Sequence, residues 1–290
     1  MLWTNSEIES FKKDYPILSI EDLCIKYNRT SYSIYYKASA LNLSRLEYNR
    51  KFMSIKSRKH SFDEYFFEVI DIPEKAYFLG LLYADGYIHV SKKVFMIDLQ
   101  NEDKYILEKL KYYTKSTYPL YRTGGNINPI SGKSYFCYRY SVTSEETINQ
   151  LKKLGCVHPK PDRINLPNID ENLLPHFIRG FFDGDGSVFG HYTKRNQCLL
   201  IISFCSNTKL LKEIDKYLFT KNINTSMVDD KRHENISNLS IRNPKSFFKF
   251  MDLIYKDSSD LKLIRKYNRF LNYKEGYDKG FRNLDLYNFC

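Results

Sequence analysis

The chain has 290 residues, of which 42% are hydrophobic and 16% aromatic, so it has enough apolar sequence for one to three folded domains and is not a disordered chain. No apolar run approaches the roughly 18 residues of a membrane-spanning helix, and the first residues lack the basic and apolar segments of a secretion signal. Lysine and arginine outnumber aspartate and glutamate by 45 to 34, a net charge of +11 that favours a polyanion partner but also occurs in basic proteins without one.

Six cysteines are spaced without a CxxC pair or a regular interval. This spacing argues against both a structural zinc site and a disulfide framework. Reduced thiols are therefore expected, as in an intracellular protein.

Residues 1–43 predict three short helices. Thr4 and Glu7 have the spacing of a capping box, Ser19 begins a second helix, and Thr30 can cap a third. The apolar positions of each segment recur at helical spacing, so the three helices are expected to share a small core.

The third of these helices has two different faces. Ile34 and Ala38 would point inward, whereas the opposite face presents Ser33, Tyr36 and Lys37, which suit contacts with phosphates and base edges. The segment resembles a helix-turn-helix domain of the Myb/SANT-like kind, which implies DNA binding through this face. A small helical bundle that binds nothing has the same pattern.

Residues 44–61 are rich in lysine and arginine and lack a sustained apolar period. We interpret them as a basic linker that follows a DNA backbone. A solvated tether without contacts is the alternative.

From residue 62 onward the sequence predicts the same order of elements, αββαββα, twice. The first copy (62–160) predicts a helix from Pro73, strands over 87–90 and 94–100, a helix over 103–115, strands over 118–123 and 135–143, and a helix over 145–154. The second copy (161–290, with a C-terminal extension) predicts a helix from Pro175, strands over 187–189 and 198–206, a helix over 208–221, strands over 225–230 and 237–242, and a helix over 244–255. We therefore expect an α+β fold with pseudo-two-fold symmetry, preceded by the all-α domain.

Both copies open with the pattern Gly-x-x-x-x-Asp-Gly, which chance would place less than once in a chain of this composition. Gly80 and Gly180 would let the two opening helices approach backbone to backbone. Gly86 and Gly186 are expected to end these helices with a positive φ.

Asp85 and Asp185 would then lie together at two helix C-termini beside the symmetry axis. Their carboxylates, with the backbone carbonyls of Ala84 and Gly184, are hard oxygen ligands that suit Mg²⁺, and Mn²⁺ is expected to substitute for it. For either acid alone, the alternative is an ordinary Asp-Gly turn at a helix end.

The segments FLGLLYADG (78–86) and IRGFFDGDG (178–186) resemble the two motifs of a monomeric LAGLIDADG homing endonuclease, and the resemblance extends over about residues 62–275. It implies a site-specific enzyme that cuts both strands of a long double-stranded DNA target. Asp85 and Asp185 would bind metal and catalyse the cleavage, two saddles of strands would lie over the major groove, and cutting across the minor groove would leave short 3′ overhangs.

The resemblance also implies a context. Such enzymes are carried by mobile genetic elements and act in intron homing, so we expect a free-standing or intron-encoded monomer that works in the cytoplasm or wherever the host genome resides. The two motifs differ at their sixth position, which is Tyr83 in one copy and Asp183 in the other. That position is supportive in the family, so the difference leaves the expected mechanism intact.

Members of this family often add a basic residue that stabilises developing charge, and Arg139 is our candidate for that catalytic role. A plain DNA-backbone contact is the alternative, and the second copy offers only Arg242, slightly out of register.

Base-reading side chains should alternate along the strands. The candidate DNA contacts are His89, Lys92, Arg122, Arg139, His191, Lys194, Arg195, Lys231 and Arg232. The segment 262–269, with Arg265 and Lys266, could clamp the DNA backbone or form a solvated helix face.

Two alternatives to the enzyme remain at this point. One is a LAGLIDADG scaffold that acts as a DNA-binding regulator or an RNA maturase without cleavage; the retention of both acids favours the nuclease. In the other, the helix-turn-helix is the specificity module and regulates the protein's own promoter.

Overall fold

The computed structural model of the chain describes residues 3–45, 59–127, 134–156, 164–192 and 198–278. The chain divides into two compact units, Met1–His60 and Ser61–Cys290. Each unit has its own hydrophobic core.

Within residues 3–45, the described helical part of the first unit, the chain forms the three predicted helices: α1 (Asn5–Asp14), α2 (Ile20–Tyr27) and α3 (Ser31–Ala40). The predicted caps are confirmed, since Thr4 and Glu7 form the reciprocal capping box, and Ser19 and Thr30 accept hydrogen bonds from the first turns of α2 and α3. Each cap satisfies a backbone N–H that the helix itself leaves without a partner.

The second unit contains the predicted duplication. Its first half comprises α4 (Pro73–Asp85), β1 (Gly86–His89), β2 (Val94–Gln100), a 3₁₀ turn (Asn101–Asp103), α5 (Lys104–Tyr113), β3 (Leu120–Ile127), β4 (Ser134–Thr143) and α6 (Glu145–Lys153). Its second half comprises a 3₁₀ turn (Glu171–Leu173), α7 (Leu174–Asp185), β5 (Gly186–Tyr192), β6 (Cys198–Asn207), α8 (Thr208–Thr220), β7 (Ser226–Asp229), β8 (Ile236–Ile241) and α9 (Pro244–Tyr255). Helix α10 (Ile264–Asp278) follows as the C-terminal extension.

The strands form two four-stranded antiparallel sheets with the same topology, β1-β2-β4-β3 and β5-β6-β8-β7. This confirms the α+β fold class and the αββαββα order in both halves.

One face of each sheet is covered by helices, and the alternation along β2 shows how. Phe95, Ile97 and Leu99 are buried, whereas Asp98 and Gln100 between and after them are exposed. Because successive side chains of a strand point to opposite faces, each sheet keeps one open face that is turned away from the helices.

Two broader expectations can be compared with the described residues. Cys24, Cys137 and Cys205 form no disulfide bond within the part of the chain that the structure describes. None of the helices in the described ranges is long and apolar enough to cross a membrane.

Candidate active site at the ends of two paired helices

Helices α4 and α7 contact each other through a pair of glycines. A Cβ atom on Gly80 would overlap the carbonyl oxygen of Phe177, and a Cβ atom on Gly180 would overlap the carbonyl oxygen of Tyr77. The two contacts are reciprocal, as a two-fold relation between the halves requires. The helix backbones therefore touch at this point, and no other residue type fits there.

The glycines that follow these two helices, Gly86 and Gly186, are required for a different reason from the expected one. Gly86 has φ −73° and Gly186 has φ −77°, so the expectation of a positive φ is wrong. The chain passes directly from each helix into a strand in extended conformation. A Cβ atom at Gly86 would overlap the Leu82 carbonyl group, and one at Gly186 would overlap the ring of Phe182, so close approach excludes a side chain at both positions.

The helix contact brings the two candidate acids to one place. Asp85 and Asp185 are the last residues of α4 and α7, respectively. A Cβ atom built on Gly184 would lie 3.1 Å from Oδ2 of Asp85, so the carboxylate of one acid lies against the residue that precedes the other. Asp85 is exposed and Asp185 partly exposed, which leaves both carboxylates accessible to a ligand.

A lysine that we expected on the surface lies beside these acids. Lys266, in the first turn of α10, is 6% exposed, and its Nζ lies 2.8 Å from the carbonyl oxygen of Phe182, 2.6 Å from that of Asp183, 3.2 Å from that of Gly184 and 2.5 Å from that of Gly186. Its three N–H donors thus serve the C-terminal carbonyls of α7, where the helix dipole favours a cation, and the carbonyl of Gly186 at the start of β5.

Burial lowers the pKa of the Lys266 ammonium group to about 8, while the nearby carboxylates of Asp183, Asp85 and Asp185 oppose that shift. The lysine is therefore electrostatically coupled to both candidate acids. A cation held by fixed hydrogen bonds next to two carboxylates is suited to stabilising negative charge that develops during a reaction.

The sequence contains a signal for the buried position of this lysine. Lys266 is in helical phase with Leu263, Phe270 and Tyr273, all of which are buried. A lysine in phase with apolar residues marks the inward face of a helix, whereas the basic composition of 262–269 predicts a DNA clamp or a solvated helix face.

Asp183, the sixth residue of the second motif, is completely buried and holds the chain around Lys266. Its carboxylate accepts hydrogen bonds from the hydroxyl groups of Tyr77 and Tyr255 at 2.9 and 2.8 Å, and from the backbone N–H of Leu263 at 2.9 Å. Burial raises the pKa of Asp183, and Lys266 together with these donors opposes the rise.

Arg179 lies one helical turn before Asp183 on α7, and it also binds the chain around the connection between α9 and α10. It is 1% exposed, and its guanidinium group donates to the carbonyl oxygens of Leu261 and Ile254 at 2.8 and 2.9 Å. Its Nη1 also lies 2.9 Å from Nδ1 of His176. The connection between α9 and α10 is therefore held to α7 at several points.

The acids fit a divalent metal that is shared with a substrate. Within the described residues, no group of three or more His, Cys, Asp or Glu side chains gathers at one place, so an ion here would have two carboxylates and backbone carbonyls as protein ligands. Mg²⁺ is commonly bound by one or two carboxylates, with water and substrate phosphates completing the coordination. Of the predicted carbonyl ligands, that of Gly184 accepts a hydrogen bond from Lys266, and Ala84 occupies the equivalent position in α4.

Arg139, our candidate for the catalytic basic residue, forms an ion pair with a neighbouring strand. On the open face of the first sheet, its guanidinium group makes two hydrogen bonds of 2.7 Å to the carboxylate of Asp98, the residue opposite it on β2. The ion pair is partly exposed, and Asp98 raises the pKa of Arg139. By register, the equivalent pair in the second sheet is Cys205 and Asn238, so Arg242 is not the counterpart of Arg139.

The strand register also shows on which face of the first sheet each predicted base-reading residue lies. His89 shares the open face with Arg139, and Lys92 is exposed in the turn after β1. Arg122 lies opposite Tyr138 on the helix side of the sheet, with its guanidinium group 3.6 Å from the centre of the Phe136 ring. Its placement does not suit base reading, because alternation from Arg139 through Tyr121 puts residue 122 on the other face.

The predicted contacts of the second half are only partly described. Arg232 is exposed in the turn before β8 and is paired with Asp230, whose pKa it lowers to about 2; Lys231 beside it is exposed as well. His191 is described as a backbone position of β5 only, and Lys194 and Arg195 lie outside the described residues.

Two further predicted DNA contacts, Arg265 and Lys266, are bonded to other groups of the protein. Arg265 donates to the buried carboxylate of Asp103 at 2.9 Å, and Lys266 is bonded to α7 as described above. Neither the DNA clamp nor the solvated face predicted for this segment fits Lys266, since its side chain is buried on the inner side of α10.

In the first unit, the outer face of α3 is aromatic as well as polar. Tyr36 is 70% exposed and stacks on Tyr32, which is 78% exposed; Ser33 and Lys37 are partly exposed, and the Lys37 ammonium group lies 5.9 Å from the centre of the Trp3 ring. The three predicted contact residues thus lie on the helix surface, and Tyr32 adds to that surface.

Comparison with known proteins agrees with this architecture. The sequence of residues 172–255 matches the family described as LAGLIDADG-like domain. No curated protein sequence matches the chain.

The fold matches solved structures at low sequence identity. One is the I-LtrWI LAGLIDADG homing endonuclease bound to target DNA (TM-score 0.50, 13% identity, 71% of this chain and 91% of that chain). A second is the LAGLIDADG meganuclease I-AabMI bound to uncleaved DNA (TM-score 0.50, 15% identity, 73% of this chain and 93% of that chain). A third is I-SmaMI bound to an uncleaved DNA target in the presence of calcium ions (TM-score 0.49, 15% identity, 75% and 96%).

The chain thus has the duplicated LAGLIDADG fold, with a LAGLIDADG-like domain in its second half. The resemblance predicted from the two motifs is confirmed.

Proposed function

We propose that this protein is a site-specific, metal-dependent homing endonuclease that cuts both strands of a long double-stranded DNA target and leaves short 3′ overhangs. The observation that carries the proposal is the meeting of Asp85 and Asp185 at the ends of two helices whose backbones touch at Gly80 and Gly180. The structural neighbours bound to DNA support the same substrate.

The proposed substrate fits the distribution of surfaces and charge. Each half offers an open sheet face, and the chain carries a net charge of +11, which suits a phosphate backbone. We propose that His89, Lys92, Arg139 and Arg232 contact the DNA from the sheets and that a monomer covers the site with both faces.

We propose the following organisation of domains. Residues 1–43 form a helix-turn-helix domain that binds DNA through the face containing Ser33, Tyr36 and Lys37, residues 44–61 are a basic linker, and 62–160 and 161–290 are the two repeats. Several tethered DNA-binding modules make the total affinity higher than that of each one.

The chemistry is assigned to three residues. Asp85 and Asp185 would hold a divalent ion, Mg²⁺ or in its place Mn²⁺, which when bound supplies Lewis acidity and lowers the pKa of a bound water. Lys266, rather than Arg139, is positioned to stabilise the negative charge that develops on a phosphate near these acids, because it is fixed beside both of them. Arg139 is better suited to a contact with the DNA backbone.

The alternative is a protein of the same fold that acts as a DNA-binding regulator or as an RNA maturase, without cleavage. Both acids and a buried lysine at their meeting point are chemical features that binding alone does not need, so the nuclease is favoured.

The test is cleavage of a DNA library in the presence of Mg²⁺ or of EDTA. The library includes the locus at which the mobile element that carries the gene would insert. Sequencing of the fragment ends should show a single site with short 3′ overhangs that depends on Mg²⁺. Tight binding at one site without cleavage in either condition would instead support the regulator or the maturase, and RNA would then be tested.

A further inference from the structure

The sixth residue of each motif contacts the chain that leaves the closing helix of its own repeat. In the second half, Asp183 binds Tyr255 at the end of α9 and Leu263 immediately before α10. In the first half, the hydroxyl group of Tyr83 donates to the carbonyl oxygen of Leu154, just after α6, and lies 3.4 Å from that of Asn165. The two residues differ chemically but occupy the same place in the fold.

In the second half this contact leads directly to Lys266. Leu263 is three residues before Lys266, and the side chain of Asp183 fixes its backbone N–H while the carbonyl oxygen of Asp183 accepts a hydrogen bond from Lys266 at 2.6 Å. One residue of α7 therefore holds both the start of α10 and the ammonium group that projects from it.

We propose that Asp183 is a positioning residue, which sets the place of the Lys266 ammonium group relative to Asp85 and Asp185 by fastening the start of α10 to the helix that carries Asp185. This inference rests on the proposed function, because it assigns Asp183 a role through the lysine that acts there. Tyr83 performs the corresponding fastening in the first half, away from Lys266.

The burial of Asp183 argues for this role. An anionic side chain without exposure is costly unless donors surround it, and its three donors come from α4, from the end of α9 and from the residue before α10. Two of the three, Tyr255 and Leu263, lie on either side of the connection that leads to Lys266.

The experiment measures single-turnover cleavage of each DNA strand separately, on the target found by the library test. Lys266→Met first identifies the effect of the lysine on each strand, with an expected loss of about 10²-fold on at least one. Asp183→Asn, which preserves the size of the side chain, should slow cleavage by about tenfold or more, because the ammonium group is displaced. The ratio between the cleavage rates of the two strands should match the ratio measured for Lys266→Met. DNA affinity measured in EDTA should change by less than about threefold, a difference below one kcal/mol.

Tyr255→Phe is a second variant that removes one hydrogen bond from Asp183 and retains the ring. It should shift the strand rates in the same direction as Asp183→Asn, by a smaller factor. Tyr83→Phe is the matched control in the other half, and it should not reproduce the strand ratio of Lys266→Met.

Amide hydrogen exchange adds a measurement that does not depend on cleavage. Asp183→Asn should accelerate exchange over residues 261–267, including the Leu263 N–H, while α4 keeps its protection. Wild-type strand rates and unchanged exchange in Asp183→Asn, with Lys266→Met impaired, would overturn the positioning role and leave the proposed function standing. An unimpaired Lys266→Met would instead remove Lys266 from the proposed function.

Discussion

The ammonium group of Lys266 lies 2.6 Å from the carbonyl oxygen of Asp183, two residues before Asp185. A lysine from the C-terminal extension thus completes the end of the helix that carries one of the two candidate acids. The extension is therefore part of the candidate site and not an appendage to the second repeat.

Lys266 is predicted to contribute to the rate of cleavage more than to DNA affinity. Lys266→Met should lower the single-turnover rate by about 10²-fold, because developing negative charge loses a fixed cation, and should leave affinity in EDTA nearly unchanged. Arg139→Ala should do the reverse, with weaker binding and a smaller salt dependence of binding. Equal losses of rate in the two variants would contradict the assignment of the catalytic role to Lys266.

The contact between α4 and α7 is predicted to tolerate no side chain. Gly80→Ala and Gly180→Ala should each lower the free energy of unfolding by about 1–3 kcal/mol, because the added methyl group forces two backbones apart. Asn149→Ala, on the exposed side of α6, is the control and should change the free energy of unfolding by less than about 0.5 kcal/mol. Chemical denaturation checks both; wild-type stability of either glycine variant would refute the close contact.

Acid is predicted to destabilise the fold partly through His176. Burial and the Arg179 charge lower the pKa of His176 from its ordinary value of 6.5, so as the pH falls below that value the unfolded chain binds this proton more readily than the native protein does. Stability therefore falls as pH decreases through this range. His176→Gln retains an acceptor for Arg179 without a titrating group, so unfolding measured at pH 5.5 and 7.5 should show a smaller difference than in the wild type. An equal difference would exclude His176 as a source of the acid sensitivity.

The N-terminal unit is predicted to increase the affinity for DNA without taking part in cleavage. Deletion of residues 1–43 should weaken DNA binding by about 10²-fold through loss of a tethered module and should reduce the salt dependence of binding. Cleavage at saturating protein should keep its rate. A folded truncation that binds fully but cannot cut would contradict this division of labour.

The sequence predicted the elements well because their signals are local. The caps at Thr4, Ser19 and Thr30 and the helix from Pro244 to Tyr255 follow from side chains within a few positions of each boundary. The duplicated motif added the one long-range relation, the glycine contact between α4 and α7, because repetition implies symmetry.

What the sequence did not reveal depends on register and on distant partners. Arg122 was expected to share a face with Arg139, and only the strand pairing shows that it stacks on Phe136 on the other side. Lys266 does not stand out from its basic neighbours in the sequence because its partners, the carbonyl groups at the end of α7 and at Gly186, are about 80 residues away in the chain. Gly86 was expected to turn the chain, whereas the fold uses its missing side chain for space.

The central claim is that Asp85 and Asp185 jointly catalyse metal-dependent cutting of both DNA strands, and substitution of each acid tests it most directly. Asp85→Asn and Asp185→Asn would be compared with wild type for cleavage in Mg²⁺ and for DNA affinity in EDTA. We predict that each variant loses double-strand cleavage by about 10³-fold or more and keeps its affinity, since each removes one carboxylate from a shared metal site. Undiminished double-strand cleavage by either variant would contradict the claim, and loss of binding in both would mean that the acids maintain the fold instead.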